Sequence, residues 1–195
     1  MKIYESMHRS VLSVTLLMLS GTSFALNVKS VVAAGSGCKA NDKFPVSAVD
    51  GSLEIAFPVL HSVQANGKKM FRSNCNLSLS LEGEAGKQFK AVAVKTDYET
   101  IGTSKDKLSM NFKLWFQGGS KTILLDHQIN TSKGTEFRES LSLPINEESW
   151  SPCKKENVLN AGVSFNGKNE DGFSTEYTLT QSKGLKIELI WRPCS

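Results

Sequence analysis

Apolar and polar residues alternate along most of this chain. Leu53, Ile55, Phe57 and Val59 are interleaved with Glu54, Ala56 and Pro58. Cys75, Leu77, Leu79 and Leu81 are interleaved with Asn74, Asn76, Ser78 and Ser80, and Leu159, Ala161, Val163 and Phe165 with Asn160, Gly162, Ser164 and Asn166. The cleanest run is Leu108, Met110, Phe112, Leu114 and Phe116, set against Ser109, Asn111, Lys113 and Trp115. Leu185, Ile187 and Leu189 repeat the pattern. Side chains of a strand point to opposite faces in turn, so each run predicts a strand with one dry and one wet face. Such strands belong to antiparallel sheets buried on one side. Ala91-Val92-Ala93-Val94 is apolar on both faces and predicts a more central strand. Ile123-Leu124-Leu125, Leu141-Ser142-Leu143 and Tyr177-Thr178-Leu179 add three candidates.

Turn-forming pairs punctuate these runs: Asp50-Gly51, Asn66-Gly67, Gly83 to Gly86, Gln117-Gly118-Gly119, Lys133-Gly134, Asn166-Gly167, Asp171-Gly172 and Lys183-Gly184. Gly and Asn tolerate the positive φ of tight hairpins. No amphipathic helix and no internal repeat interrupts the pattern. The expected fold is an all-β antiparallel β-sandwich.

The first 25 residues read differently. Lys2 and Arg9 precede an apolar run, Val11 to Leu19, and Ser23-Phe24-Ala25 offers small residues for cleavage after Ala25. These are the parts of a signal peptide. The run is far shorter than the ~20 residues that cross a bilayer, so a membrane span is not expected. The expected layout is a leader over residues 1–25, an N-terminal linker over 26–37 and a single domain over 38–195. Localisation is then secreted, in the periplasm or outside the cell.

Charge narrows the function classes. The leader takes Lys2, Arg9 and Glu5 with it, so of 23 basic and 19 acidic residues 21 and 18 remain. The lysines are scattered, with Lys68-Lys69 and Lys154-Lys155 as basic doublets. A nucleic-acid binder concentrates its charge in a patch or stripe, so a nucleic-acid partner is not expected.

Four cysteines, Cys38, Cys75, Cys153 and Cys194, follow the export signal, an even count that predicts two disulfides. Of the three possible connectivities, Cys38–Cys75 with Cys153–Cys194 closes the two shortest non-overlapping loops. The cysteines sit in recognisable phrases: Gly35 to Cys38, Asn74-Cys75-Asn76-Leu77, Trp150-Ser151-Pro152-Cys153 and Trp191-Arg192-Pro193-Cys194. Together with Asp97-Tyr98, Trp115-Phe116-Gln117-Gly118 and Leu159-Asn160, in this order, they resemble the secreted family called domain of unknown function 4360. The resemblance covers nearly all of the chain beyond the leader. It implies export and a cysteine-bridged domain, and it implies no activity. The chain departs at Ser73, where the family carries a basic residue, and at Glu99-Thr100, where Arg-Gly is expected.

Catalytic and metal chemistry find little support. Beyond the leader the chain has His61 and His127 only, and its cysteines are too far apart for paired metal ligands, so neither a metal nor another cofactor is expected. Asn169-Glu170-Asp171-Gly172 fails as a calcium loop, because Gly167 and Thr178 stand where the first ligand and closing Glu belong. It reads as a tight turn. Nucleophilic catalysis would need His127 and Asp126 beside a serine, and no Gly-x-Ser-x-Gly elbow occurs. Paired-carboxylate hydrolysis would draw on Asp97, Glu99, Glu147 and Glu148. Trp150 and Trp191 each stand three residues before a cysteine, where packing on the disulfides accounts for them. Trp115 is out of phase with Leu114 and Phe116 and is expected on a wet face beside Lys113 and Asn111. Exposed aromatics on sheets serve as platforms for sugars or proteins. The sequence therefore favours a non-enzymatic binding module for a protein or carbohydrate ligand, with a small secreted hydrolase acting on carbohydrate as the alternative.

Overall fold

A computed structural model describes residues 26–38, 44–56, 61–64, 67–101, 106–129, 136–169, 171 and 176–194. The leader, Phe57, Val59, Asn66 and the Lys133-Gly134 turn lie outside them. Among the described residues eleven strands form: β1 (Asn27–Ala34), β2 (Val46–Val49), β3 (Ser52–Ile55), β4 (His61–Gln64), β5 (Met70–Glu82), β6 (Lys87–Ile101), β7 (Lys107–Phe116), β8 (Thr122–Ile129), β9 (Glu136–Pro144), β10 (Glu156–Lys168) and β11 (Glu176–Pro193). No helix occurs among the described residues, so none there is long and apolar enough to cross a membrane.

The strands build two antiparallel sheets. One has the order β1-β5-β10-β7-β8; the other runs β2-β3-β11-β6-β9, with β4 also paired to β11. The alternation read from the sequence selects the inner faces. Leu77, Leu79 and Leu81 of β5, Leu108 to Phe116 of β7 and Leu159 to Phe165 of β10 bury every second side chain between the sheets. The opposite sheet contributes Leu53, Ile55, Phe89, Val94, Leu185 and Ile187. Edge-to-face aromatic pairs lock the layers: Phe89 with Phe116 across the core and Phe71 with Phe165 within one sheet, both at 5.2 Å between ring centroids. The all-β sandwich is therefore the fold, and β6, carrying Ala91 to Val94, lies between β11 and β9.

Cys38 bonds to Cys75 and Cys153 to Cys194, the pairing with the short loops. The first bridge ties the turn after β1 to β5. The second ties the segment before β10 to the end of β11.

Three sequence expectations need correction. Residues 27–34 are not a linker but β1, an edge strand paired with β5. A register shift between Val28 and Ser30 breaks the period of two, which hid the strand. Glu82 at the end of β5 anchors it, because its carboxylate is paired with Lys29 of β1 and, at 2.7 Å, with Lys155. The hydrogen bonds from Lys155 and then Lys29 hold the Glu82 pKa down, from 4.5 to about 2.

Second, Asn166-Gly167 is not a turn; both residues lie within β10, paired to Arg72 and Phe71. Glycine is needed there for space, since a Cβ would stand 2.1 Å from Cε1 of Phe71. Third, Lys183-Gly184 does not separate two strands. Tyr177 to Leu179 and Leu185 to Leu189 belong to one strand, β11, which bulges between Gln181 and Leu185 in its pairing with β6. Gly184 has φ +75°, and Thr96 Oγ1 donates to its carbonyl at 3.0 Å. The Asp50-Gly51 turn forms as expected, joining β2 and β3 with φ of 45° and 74°, and the Gly83–Gly86 and Gln117–Gly119 segments join β5 to β6 and β7 to β8.

Candidate functional site

The outer face of the five-stranded sheet gathers the wet positions of four strands into a grid. Strand register places Thr122, Trp115, Asn160 and Ser78 in one row across β8, β7, β10 and β5. The next row is Leu124, Lys113, Gly162 and Asn76. Then come Asp126, Asn111, Ser164 and Asn74, and finally Gln128, Ser109, Asn166 and Arg72. One grid point, Gly162, has no side chain. A Cβ there would stand 2.7 Å from Asn76 Oδ1. Around this gap lies an open hollow of about 260 Å³, bordered by Arg72, Asn74, Asn76, Asn111, Lys113 and Asp126, with Leu124 at its side.

The polar side chains here are organised by one another. Asn111 is the hub: its Nδ2 donates to Asp126 Oδ1, and its Oδ1 accepts from Asn166 Nδ2 and, at 3.5 Å, from Ser164 Oγ. Ser78 Oγ donates to Asn160 Oδ1 at 2.7 Å, beside Trp115. Asn74 is gripped by the turn that Cys38–Cys75 anchors. Ser36 Oγ donates to its Oδ1 and accepts from its backbone N–H, both at 3.1 Å, and Gly37 N–H donates to its carbonyl at 2.8 Å. Gly35 makes this approach possible, with φ +153° and no Cβ to strike the Asn74 carbonyl.

Trp115, Lys113 and Asn111 thus lie on one outward face. Trp115 is half-buried rather than open, and the Lys113 ammonium sits 5.0 Å from its ring centroid. Such contacts contribute ~0.5–1 kcal/mol at exposed sites. The sequence did not assign Leu124, 63 % exposed, Asn160, Gly162 or Arg72 to a binding face, and it raised Asp126 only as a catalytic candidate. Leu124 had a signal: in Ile123-Leu124-Leu125 the middle residue of a strand must face away from its neighbours.

The catalytic candidates come apart. Asp126 faces outward to Asn111, whereas His127 faces the sandwich interior, where its Nε2 meets the Tyr98 hydroxyl at 2.9 Å. Neighbours on a strand point to opposite sides, so these two cannot form one relay. Asp97 borders a larger hollow, about 610 Å³, on the outer face of the other sheet, together with Glu54, Lys95 and Lys186. Its charges are cross-linked: Lys186 pairs with Glu54 at 3.1 Å and Lys95 with Glu188 at 2.6 Å. Glu148 lies elsewhere, bonded to Lys90 Nζ at 2.5 Å and to Trp150 Nε1 at 2.6 Å, first the lysine and then the indole lowering its pKa. The Glu99 side chain lies outside the described residues. Asn169 donates to Asp106 at 2.6 Å and accepts from the Asp171 N–H at 2.9 Å, while Glu170 and Gly172 lie outside the described residues. Among the described residues no three His, Cys, Asp or Glu side chains group to hold a metal ion. The other tryptophans have contacts the cysteine spacing did not reveal: Trp150 lies under the Arg192 guanidinium at 3.9 Å, and Trp191 stacks on Phe89 at 4.8 Å.

The chain is an all-β sandwich stapled by two disulfides, with a polar outer face on its five-stranded sheet. Residues 25–194 match the family described as domain of unknown function DUF4360, and the chain belongs to it. No curated protein matches it. Among solved structures it is similar to CBM28, a carbohydrate-binding module specific for non-crystalline cellulose, with a TM-score of 0.45 and 11 % identity over 81 % of this chain and 87 % of that one. It is also similar to the mannan-recognising module TmCBM27 (TM-score 0.34, 9 % identity, 87 % and 99 % covered) and to TmCBM61, solved with β-1,4-galactotriose (0.31, 9 %, 89 % and 90 %).

Proposed function

We propose that the chain is an exported, non-enzymatic binding module, and that a carbohydrate lies on the outer face of the five-stranded sheet over Trp115, Lys113 and Asn111. The observation that carries this reading is the grid itself: one half-buried indole, a gap at Gly162 and a ring of amides brought together from four strands. A sugar ring has apolar C–H faces and a periphery of hydroxyls. An indole supplies apolar contact for the first, and Asn side chains both donate to and accept from the second. The leader and the two disulfides support export to an oxidising compartment. The hydrolase alternative gains no such support, since Asp97 and Glu148 sit on separate elements and Glu148 is held ionised.

Affinity electrophoresis through gels containing soluble polysaccharides, followed by calorimetry on those that retard the protein, tests the reading. Trp115→Ala is expected to weaken binding by ~2 kcal/mol or more, about 30-fold. Unchanged retardation of the variant by every retarding polysaccharide would remove this face from consideration.

A further inference from the structure

The border of the Gly162 gap is not neutral. Arg72 and Lys113 bring two positive charges to it, against the single carboxylate of Asp126. That carboxylate already accepts a hydrogen bond from Asn111. Lys113 rests near the Trp115 ring, a contact that leaves its ammonium charge uncompensated. Arg72 is exposed on the outer side of β5, and none of the described contacts pairs its guanidinium with an acid. Asn74 and Asn76 of the same strand border it too, with Asn76 Oδ1 facing Gly162.

We propose that this gap is an anion subsite, and that the carbohydrate bound on the face carries a carboxylate, as a uronic acid residue does. The proposal rests on the carbohydrate reading above and names the substrate class within it. A carboxylate presents two coplanar oxygens. The planar fork of Arg72 matches them in a way a point charge does not, and Lys113 adds a second positive charge. Gly162 lets the neighbouring Asn76 side chain lean in: a Cβ there would stand 2.7 Å from Asn76 Oδ1. Trp115 stands three rows from Arg72 on the grid, so its indole would take the apolar side of a sugar further along the bound chain.

The test compares polygalacturonate with neutral galactan, and adds dextran sulfate and poly-glutamate as controls, each titrated at low and at high sodium chloride. The wild-type chain is expected to bind polygalacturonate about tenfold or more tightly than galactan, with the preference shrinking as salt rises. Arg72→Gln should reduce that preference at least fivefold, and Arg72→Lys should restore it only in part, because the charge returns without the fork. Thermal melts verify that each variant is folded. A preference that survives both Arg72→Gln and Lys113→Gln would place the anion elsewhere and overturn the subsite. Equal, Trp115-dependent binding of both polysaccharides would also overturn it while leaving the carbohydrate reading intact. An equal gain with dextran sulfate would refute selection of a carboxylate, and poly-glutamate binding as tightly as polygalacturonate would point to an acidic protein partner instead. Binding of none of these polymers would overturn the subsite and count against the carbohydrate reading too.

Discussion

Two adjacent residues of β7 should respond differently to truncation, because the strand turns Phe116 inward and Trp115 outward. Phe116 is 2 % exposed and meets Phe89 edge to face, with 84° between the ring planes. Phe116→Ala leaves a cavity at the centre of the sandwich and is expected to cost ~3–5 kcal/mol, the aromatic pair included. Trp115 is half-buried, with Lys113 over its ring. A wholly buried tryptophan removes ~150–250 Å² from water, so half that area at ~25 cal/mol per Å² gives ~2–3 kcal/mol. The unfolded chain already shields part of it, which brings the expected cost of Trp115→Ala to ~1–2 kcal/mol. For a domain of this size 1 kcal/mol shifts Tm by ~2–4 °C. Calorimetric melts should therefore show a drop of ~10–15 °C for Phe116→Ala and ~3–6 °C for Trp115→Ala. Equal losses would show that the indole is a packing residue, and the outer face would lose its aromatic platform.

Other expectations follow from single contacts. Glu82→Gln should lower the urea midpoint at neutral pH. Because the folded pKa of Glu82 is depressed, its contribution is present above pH 4.5 and is lost as the pH falls toward 2, so the gap between variant and wild type should close over that range; a gap that persists at pH 2 would refute the ion-pair account. Gly184→Ala places a Cβ 2.2 Å from the Ile55 carbonyl oxygen at φ +75° and should cost at least ~3 kcal/mol, whereas Gly118→Ala, at φ +79° in open space, should cost only the left-handed penalty of ~1–2 kcal/mol; similar urea midpoints for the two would contradict the bulge geometry. Replacing both Cys153 and Cys194 by Ser, across a separation of 41 residues, should lower stability by ~4 kcal/mol on the entropic account, and an unchanged urea midpoint would count against it. Exported protein should begin at Leu26 by intact mass; retention of Val11 to Leu19 would refute the leader.

The period-two runs sufficed for the fold class because burial of one sheet face leaves a local signature: Leu108 to Phe116 can face one core only if Ser109 to Trp115 face away. The same rule placed Trp115, Lys113 and Asn111 on one side of β7 before any pairing was known. It failed where the local signature is broken or borrowed. β1 was hidden by its bulge. Gly167 and Gly184 look like turn residues in sequence, yet each is glycine because a distant group, the Phe71 ring or the Ile55 carbonyl, occupies the space of a Cβ. Long-range order was beyond reach for a related reason. Alternation says that a strand has a wet face, but nothing local says that β10 lies between β5 and β7, so only the tertiary structure could set Gly162 between Asn76 and Lys113 and open the gap that Arg72 borders. It likewise sent Asp126 and His127 to opposite sides of β8 and gave each its partner from another strand, because side-chain direction is a property of the strand while side-chain company is a property of the sheet.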